Sequence, residues 1–201
     1  MAKLYFRYGT VDSAKTALLL MTRHNYISQG KKVLTIAPDV DNREDGFIKS
    51  RALDEKIKPD MIIHKDIFSM EEVEKLEEAD CILVEETQFL SPNIITLLWV
   101  VAKEKGIPVI CYGLRTDFRT KLFPASRRLM ELADSIEEIK TECKYCRKKA
   151  VFNLRVDAEG EPVFEGSSVL VGYGYEPICG LCYLKRLDEV NEGETVILET
   201  R

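Results

Sequence analysis

Two Cys-x-x-Cys pairs, Cys143 with Cys146 and Cys179 with Cys182, carry the strongest chemical signal in the chain. Four thiolates at that spacing close a tetrahedral Zn²⁺ site, and four protein ligands leave no position open for substrate. The expected zinc is therefore structural. A second signal lies at the other end. Gly9-Thr10-Val11-Asp12-Ser13-Ala14-Lys15-Thr16 follows an apolar run and leads into a helical pattern, the context of a nucleotide phosphate loop. In such a loop, backbone N–H groups at a helix N-terminus converge on phosphate oxygens. The lysine reaches the terminal phosphates, and the final hydroxyl holds Mg²⁺.

Ala14 stands where the strict pattern G-x-x-x-x-G-K-[ST] has its second glycine. At positive φ its Cβ costs about 1–2 kcal/mol; in a helical conformation only clearance beside the phosphates is at stake. The octapeptide alone also fits a plain loop-to-helix turn. Its context favours the phosphate reading, because Cys81-Ile82-Leu83-Val84-Glu85-Glu86 resembles a strand that delivers carboxylates to the same sheet edge. Glu85 takes the place usual for an aspartate and is a methylene longer. Glu86 is placed to accept a proton from a substrate hydroxyl. A lone acid at either position would read as a solvated surface charge, but the pairing favours function.

The elements that must hold these groups alternate along the chain. Leu4–Tyr8, Val33–Ala37, Met61–His64, Cys81–Val84 and Pro108–Tyr112 read as strands, mostly of the uniform apolarity found in parallel sheets covered on both faces. Helical patterns fall at Lys15 to about Gln29, Met70 to about Glu78 and Pro92 to about Lys105, with Ser69 and Ser91 as N-caps. The fold expected is α/β: a phosphate-loop parallel sheet with helices on both faces, plus a small zinc-ribbon-like domain. After about Glu142 the pattern changes to a hairpin, Lys148–Val156 with Val163–Val171, joined by the turn-rich residues 157–162. Residues 147–178 separate the cysteine pairs, more than the roughly 15–20 of a compact ribbon. The excess is expected to project as a loop, Ser167–Tyr175.

Composition narrows the class. A net charge of −5 over 201 residues argues against bulk nucleic-acid binding. No apolar run approaches the roughly 20 residues of a membrane span, and the N-terminus shows no secretory pattern. A cytoplasmic protein with metal-bound rather than disulfide-bonded cysteines is expected. Cys81 and Cys111 read as buried hydrophobes. His24 and His64 read as bystanders, and Arg127-Arg128 and Arg147-Lys148-Lys149 as solvated basic groups.

In consistent order from about Leu4 to Tyr183, Glu85–Leu90, Tyr112–Arg119, Phe123-Pro124 and the cysteine pairs resemble the zinc-containing, cytosolic-type thymidine kinase family. That resemblance implies ATP-dependent phosphorylation of thymidine or deoxyuridine to the 5′-monophosphate, in nucleotide salvage. It also implies a homotetramer with ATP, Mg²⁺ and structural Zn²⁺. Residues 1–140 would bind ATP, 141–192 would form a zinc-held lasso over the nucleoside, and 193–201 a tail. Glu86 is the implied base. Residues 9–16, Glu85 and Gln88 are the implied ATP–Mg²⁺ set. Phe118, Leu114, Val11, Asn153 and Tyr175 are the implied nucleoside set, with Phe118 stacking on the base. Stacking suits any base, so discrimination must come from pocket shape and backbone contacts. Asp41-Asn42-Arg43 and Ser50-Arg51 match the family's segment after the second strand.

Departures from the family pattern are Ala14 for Gly, Glu85 for Asp, Val11 for Met and Asn153 for a Thr or other small residue. The lasso sequence Val171-Gly172-Tyr173-Gly174-Tyr175 is also shortened. The first two touch phosphate and Mg²⁺ positioning, and a handicapped kinase is expected, improved by Ala14→Gly together with Glu85→Asp. Two other readings compete: a degenerate member that binds nucleotide for regulation or assembly, and a zinc-ribbon adaptor on an unrelated α/β domain.

Overall fold

The computed structural model describes residues 2–39, 46–50, 52–64, 66–167 and 174–191. In chain order the elements begin with β1 (Leu4–Tyr8), α1 (Lys15–Ser28), β2 (Val33–Pro38) and the short antiparallel pair β3 (Ile48–Lys49) and β4 (Lys56–Ile57). Then follow β5 (Met61–Ile63), α2 (Met70–Glu77), β6 (Cys81–Val84), a 3₁₀ turn (Thr87–Phe89), α3 (Pro92–Glu104) and β7 (Val109–Gly113). The chain continues through α4 (Pro124–Leu132), β8 (Ser135–Glu138), β9 (Phe152–Val156), β10 (Gly174–Ile178) and α5 (Gly180–Asn191). The five expected strands of the sheet form within a residue of the pattern. Ser69 caps α2 through a reciprocal box with Glu72, and Ser91 accepts from Ile94 N at the start of α3.

Two compact units divide the chain. The first comprises Met1–Gly9, Ser13–Arg115 and Leu122–Ile139. Its six-stranded sheet runs β5-β2-β6-β7-β1-β8, and every pairing is parallel. Period-two alternation splits each apolar strand between two cores. Ile82, Val84, Val109 and Cys111 pack with Ile94, Leu98 and Leu129 from α3 and α4. Cys81, Leu83, Ile110 and Tyr112 face the opposite way, onto Leu19 and Leu20 of α1. That is why both strands are apolar throughout. Cys81 and Cys111 are fully buried, and burial pushes the Cys81 thiol up to about 11. Aspartates take N–H groups in or beside β1 and β2: Asp60 accepts from Thr35 within β2, Asp80 from Lys32 just before it and Asp134 from Leu4 at the start of β1, at 2.7–2.8 Å.

The second unit comprises Thr10–Asp12, Thr116–Lys121 and Lys140–Arg201. Its sheet is β9 paired antiparallel with β10, Asn153 opposite Pro177 and Arg155 opposite Tyr175. The expected partner of β9 is Val163–Val171; residues 163–167 form no strand, and 168–171 lie outside the described residues. The turn at 157–162 does form, with Asp157 Oδ1 accepting from Glu159 N and Glu161 N. Beyond it, however, only a Val156–Pro162 bridge and a Val163 N to Arg155 O bond follow among the described residues. Pro162 has no N–H to extend a ladder, whereas Ile178 is wholly buried and runs directly into Cys179. The expected first strand is also shorter, starting at Phe152. Pattern reading placed no element at α4, β8 or α5. Most of the expected lasso loop (168–173), with Asp41-Asn42-Arg43 and Arg51, lies outside the described residues. Among the described residues no helix is long and apolar enough to cross a membrane.

Candidate active site and metal centre

In the first unit, parallel strands place Gly9, Glu85 and Leu114 just past the C-terminal ends of β1, β6 and β7, along one sheet edge. Gly9 is sterically required, since a Cβ there would lie 2.3 Å from Ser13 Oγ and 2.6 Å from Ile139 O. Ala14, the N-cap of α1, has φ 61 and ψ 25. The position does need the left-handed conformation, so the alanine is strained rather than merely crowding the loop. Lys15 Nζ lies 3.4 Å from Ser13 Oγ.

Thr16 Oγ1 donates to Glu85 Oε1 at 2.5 Å. Glu85 is 7% exposed, and its Oε2 has no hydrogen-bond partner among the described residues. Burial, with the adjacent Glu86 charge, pushes its carboxyl up to about 8; the Thr16 hydroxyl and Lys15 pull the other way. A buried carboxylate oxygen without a donor, next to a threonine hydroxyl, is a hard-oxygen pair suited to a divalent cation such as Mg²⁺.

Glu86 follows at φ 46, a left-handed backbone that ends the strand and starts the 3₁₀ turn. Gln88 Nε2 donates to Glu86 Oε2 while its Oε1 accepts from Leu114 N at 2.9 Å. One amide therefore orients Glu86 and anchors the end of β7. Gly113 makes room for this: a Cβ would sit 2.5 Å from Gln88 Oε1.

In the second unit Phe118 is 1% exposed and held from several sides. Asp117 accepts from Arg119 N and Lys121 N, both at 2.9 Å, fixing the turn that carries the ring. Tyr183 Oη donates to Phe118 O at 2.8 Å. Arg155, fully buried, lays its guanidinium 3.6 Å from the ring centroid. It also donates to Tyr175 Oη and to the carbonyls of Glu165 and Ser167. Asn153 joins Val11 N to Thr116 O through its amide. Thus the implied nucleoside residues Val11, Asn153, Phe118 and Tyr175 fall together in this unit, while Leu114 belongs to the first.

The four cysteines converge as their spacing predicts, all Sγ atoms within 4.8 Å of one another. A tetrahedron with zinc–sulfur bonds of about 2.3 Å has sulfur–sulfur edges of about 3.8 Å, so the donor set fits Zn²⁺. Arg147 takes φ 59 as the first knuckle turns, with Cys143 N bonded to Lys148 O. Burial raises the Cys179 thiol, but the Cys182 N–H and neighbouring thiols outweigh it and bring the group down to about 7.

A family model described as "Thymidine kinase" matches residues 2–183. The chain belongs to the thymidine kinase family. Thymidine kinases of Listeria monocytogenes (serotype 4b) and Streptococcus gordonii are 40% and 41% identical to it. These alignments cover 91% and 92% of this chain and 97% of each relative. That of Lactiplantibacillus plantarum is 41% identical over 89% of this chain and 94% of the relative. Within this thymidine kinase family chain, sequence reasoning did not anticipate Arg155, Asp117 or Tyr183 around Phe118. Asp117-Phe118-Arg119 is the one local signal, an acid two residues before the cation it holds. Nothing in the β9 sequence marks Arg155 as buried.

Proposed function

We propose that the protein transfers the γ-phosphoryl group of ATP to the 5′-hydroxyl of thymidine or deoxyuridine. Family membership supports the reaction class, and the observation that carries the site reading is the Thr16–Glu85 pair with its unpartnered carboxylate oxygen. The phosphate loop, residues 9–16, binds the ATP phosphates through backbone N–H groups, and Lys15 adds a positive charge. Thr16 and Glu85 would hold Mg²⁺, which neutralises charge developing on the phosphate oxygens. Glu86, oriented by Gln88, accepts the proton of the 5′-hydroxyl as its oxygen attacks the γ-phosphorus and the bond to the departing ADP breaks. Phe118, whose ring is buried with Arg155 on one face, is the residue we assign to the pyrimidine, with Val11, Leu114, Asn153 and Tyr175 completing the nucleoside set.

Residues 1–140 then carry the ATP-binding domain, of which Thr10–Asp12 and Thr116–Lys121 group with the second unit, while 141–192 form the zinc-held lasso and 193–201 the tail. The protein works in the cytoplasm as a homotetramer. Four thiolates without an open coordination position support a structural metal. Thymidine-dependent ADP release tests the reading. Lys15→Ala is expected to abolish it, and Glu86→Gln to cut kcat by roughly 10²–10⁴ while ATP binding persists. ATP binding with no thymidine-dependent release by the wild type would reject the kinase assignment.

A further inference from the structure

Asn153 is 3% exposed, and both ends of its amide are committed within the second unit. Its Oδ1 accepts from Val11 N at 2.8 Å, and its Nδ2 donates to Thr116 O at 3.2 Å. The two partners demand opposite ends, which assigns the amide orientation without ambiguity. A threonine or other single-hydroxyl side chain is too short to span both.

Each partner lies in a segment with a separate task. Val11 is the third residue of the phosphate loop and precedes Asp12, itself at φ 57. The peptide that Asn153 holds therefore leads directly into the two left-handed residues, Asp12 and Ala14, that aim the loop's amides. Thr116 is two residues from Phe118 and opens the turn that Asp117 fixes. The amide is planar and rigid. If the loop moves, Oδ1 follows Val11 N, and Nδ2 is carried off Thr116 O.

We propose that Asn153 is a positioning residue that couples the phosphate loop to the Phe118 turn, so that ATP and nucleoside each tighten the binding of the other. The proposal rests on the assignment of ATP to the loop and nucleoside to Phe118 made above. Phosphates settle the loop into the conformation that presents Val11 N to Asn153, and the amide then holds Thr116 and the turn in place. Linkage makes the effect reciprocal: whatever factor ATP confers on nucleoside affinity, the nucleoside confers on ATP.

The test measures the thymidine Kd with and without a saturating non-hydrolysable ATP analogue. The wild type is expected to bind thymidine at least about fivefold tighter with the analogue present. Asn153→Leu, close in shape but without polar atoms, is expected to bring the ratio near one. Asn153→Asp keeps the acceptor for Val11 N but has no donor for Thr116 O, and is expected to do the same. Retained zinc in both variants reports that the unit is folded. A merely structural role would shift both Kd values together and leave the ratio alone. A ratio of one in the wild type, or a wild-type ratio in both variants, overturns the proposal.

Amide hydrogen exchange over residues 116–121 supplies a readout that needs no nucleoside. The analogue alone is expected to slow exchange there in the wild type and leave it unchanged in the variants. Protection without any thymidine binding would overturn the nucleoside reading while upholding the coupling. Equal protection in wild type and variants would overturn the coupling.

Discussion

The guanidinium of Arg155 lies 3.6 Å from the centroid of the Phe118 ring, and neither side chain is more than 1% exposed. A desolvated cation over an aromatic face contributes about 2 kcal/mol, and here it also blocks one face of the ring. Tyr175 Oη and two backbone carbonyls take the guanidinium's donors, so a single side chain ties β9 to β10 and to residues 165–167.

Arg155→Lys is accordingly not conservative, because an ammonium cannot reproduce a planar fork that serves three acceptors and a ring at once. We expect it to destabilise the protein by roughly 1–3 kcal/mol, the cost of leaving buried acceptors unpaired. We also expect it to raise the KM for thymidine more than that for ATP. Denaturant unfolding and steady-state kinetics read the two effects separately; unchanged values of both would make the stack incidental.

Ala14 at φ 61 predicts that Ala14→Gly stabilises the protein by about 1 kcal/mol. The 2.5 Å bond to Thr16 means that Glu85 already reaches its partner. Of the two changes, Ala14→Gly is therefore expected to raise kcat/KM. Glu85→Asp, shorter by a methylene, lowers it. Thermal melts and kinetics on both single variants and the double decide the matter, since neighbouring sites need not add.

Glu85 makes stability depend on pH. Its folded-state carboxyl is raised from the ordinary 4.5 to about 8 by burial and the Glu86 charge. The sign follows: the neutral form is favoured in the folded protein, so this contribution is full at acid pH below the unfolded value and is lost as pH rises through about 8. Unfolding free energy of metal-free, nucleotide-free protein is expected to fall over that window, and Glu85→Gln to flatten the fall. Mg²⁺ binding at neutral pH is expected to release a proton, which calorimetry in buffers of different ionisation enthalpy detects.

The four converging thiols predict one Zn²⁺ per chain by metal analysis. Chelation or Cys143→Ser is expected to lower the melting temperature and abolish activity, because binding energy at a closed thiolate site is folding energy. Metal-free protein of native stability would contradict this.

Much of the fold lay open in the primary structure, because period-two and helical apolar patterns report burial directly. Cys81–Val84 and Val109–Gly113 are apolar throughout since both sheet faces are covered, and Ser69 and Ser91 announce their helices by side-chain capping. The four-cysteine cluster was equally legible, as short spacing within each pair brings two thiols together locally. Other features depended on distance through space. β9 pairs with Gly174–Ile178 because Ile178 and the cysteine after it are drawn into the unit's core, a long-range contact that local propensity does not encode. The left-handed turn at Ala14 was one of two conformations its residue type allowed. Asn153 bridging Val11 and Thr116, Gln88 orienting Glu86, and Arg155 under Phe118 are relations between residues remote in sequence or of unremarkable type. Only the folded chain brings a donor to one end of an amide and an acceptor to the other, or strips a guanidinium of water and sets it on a ring.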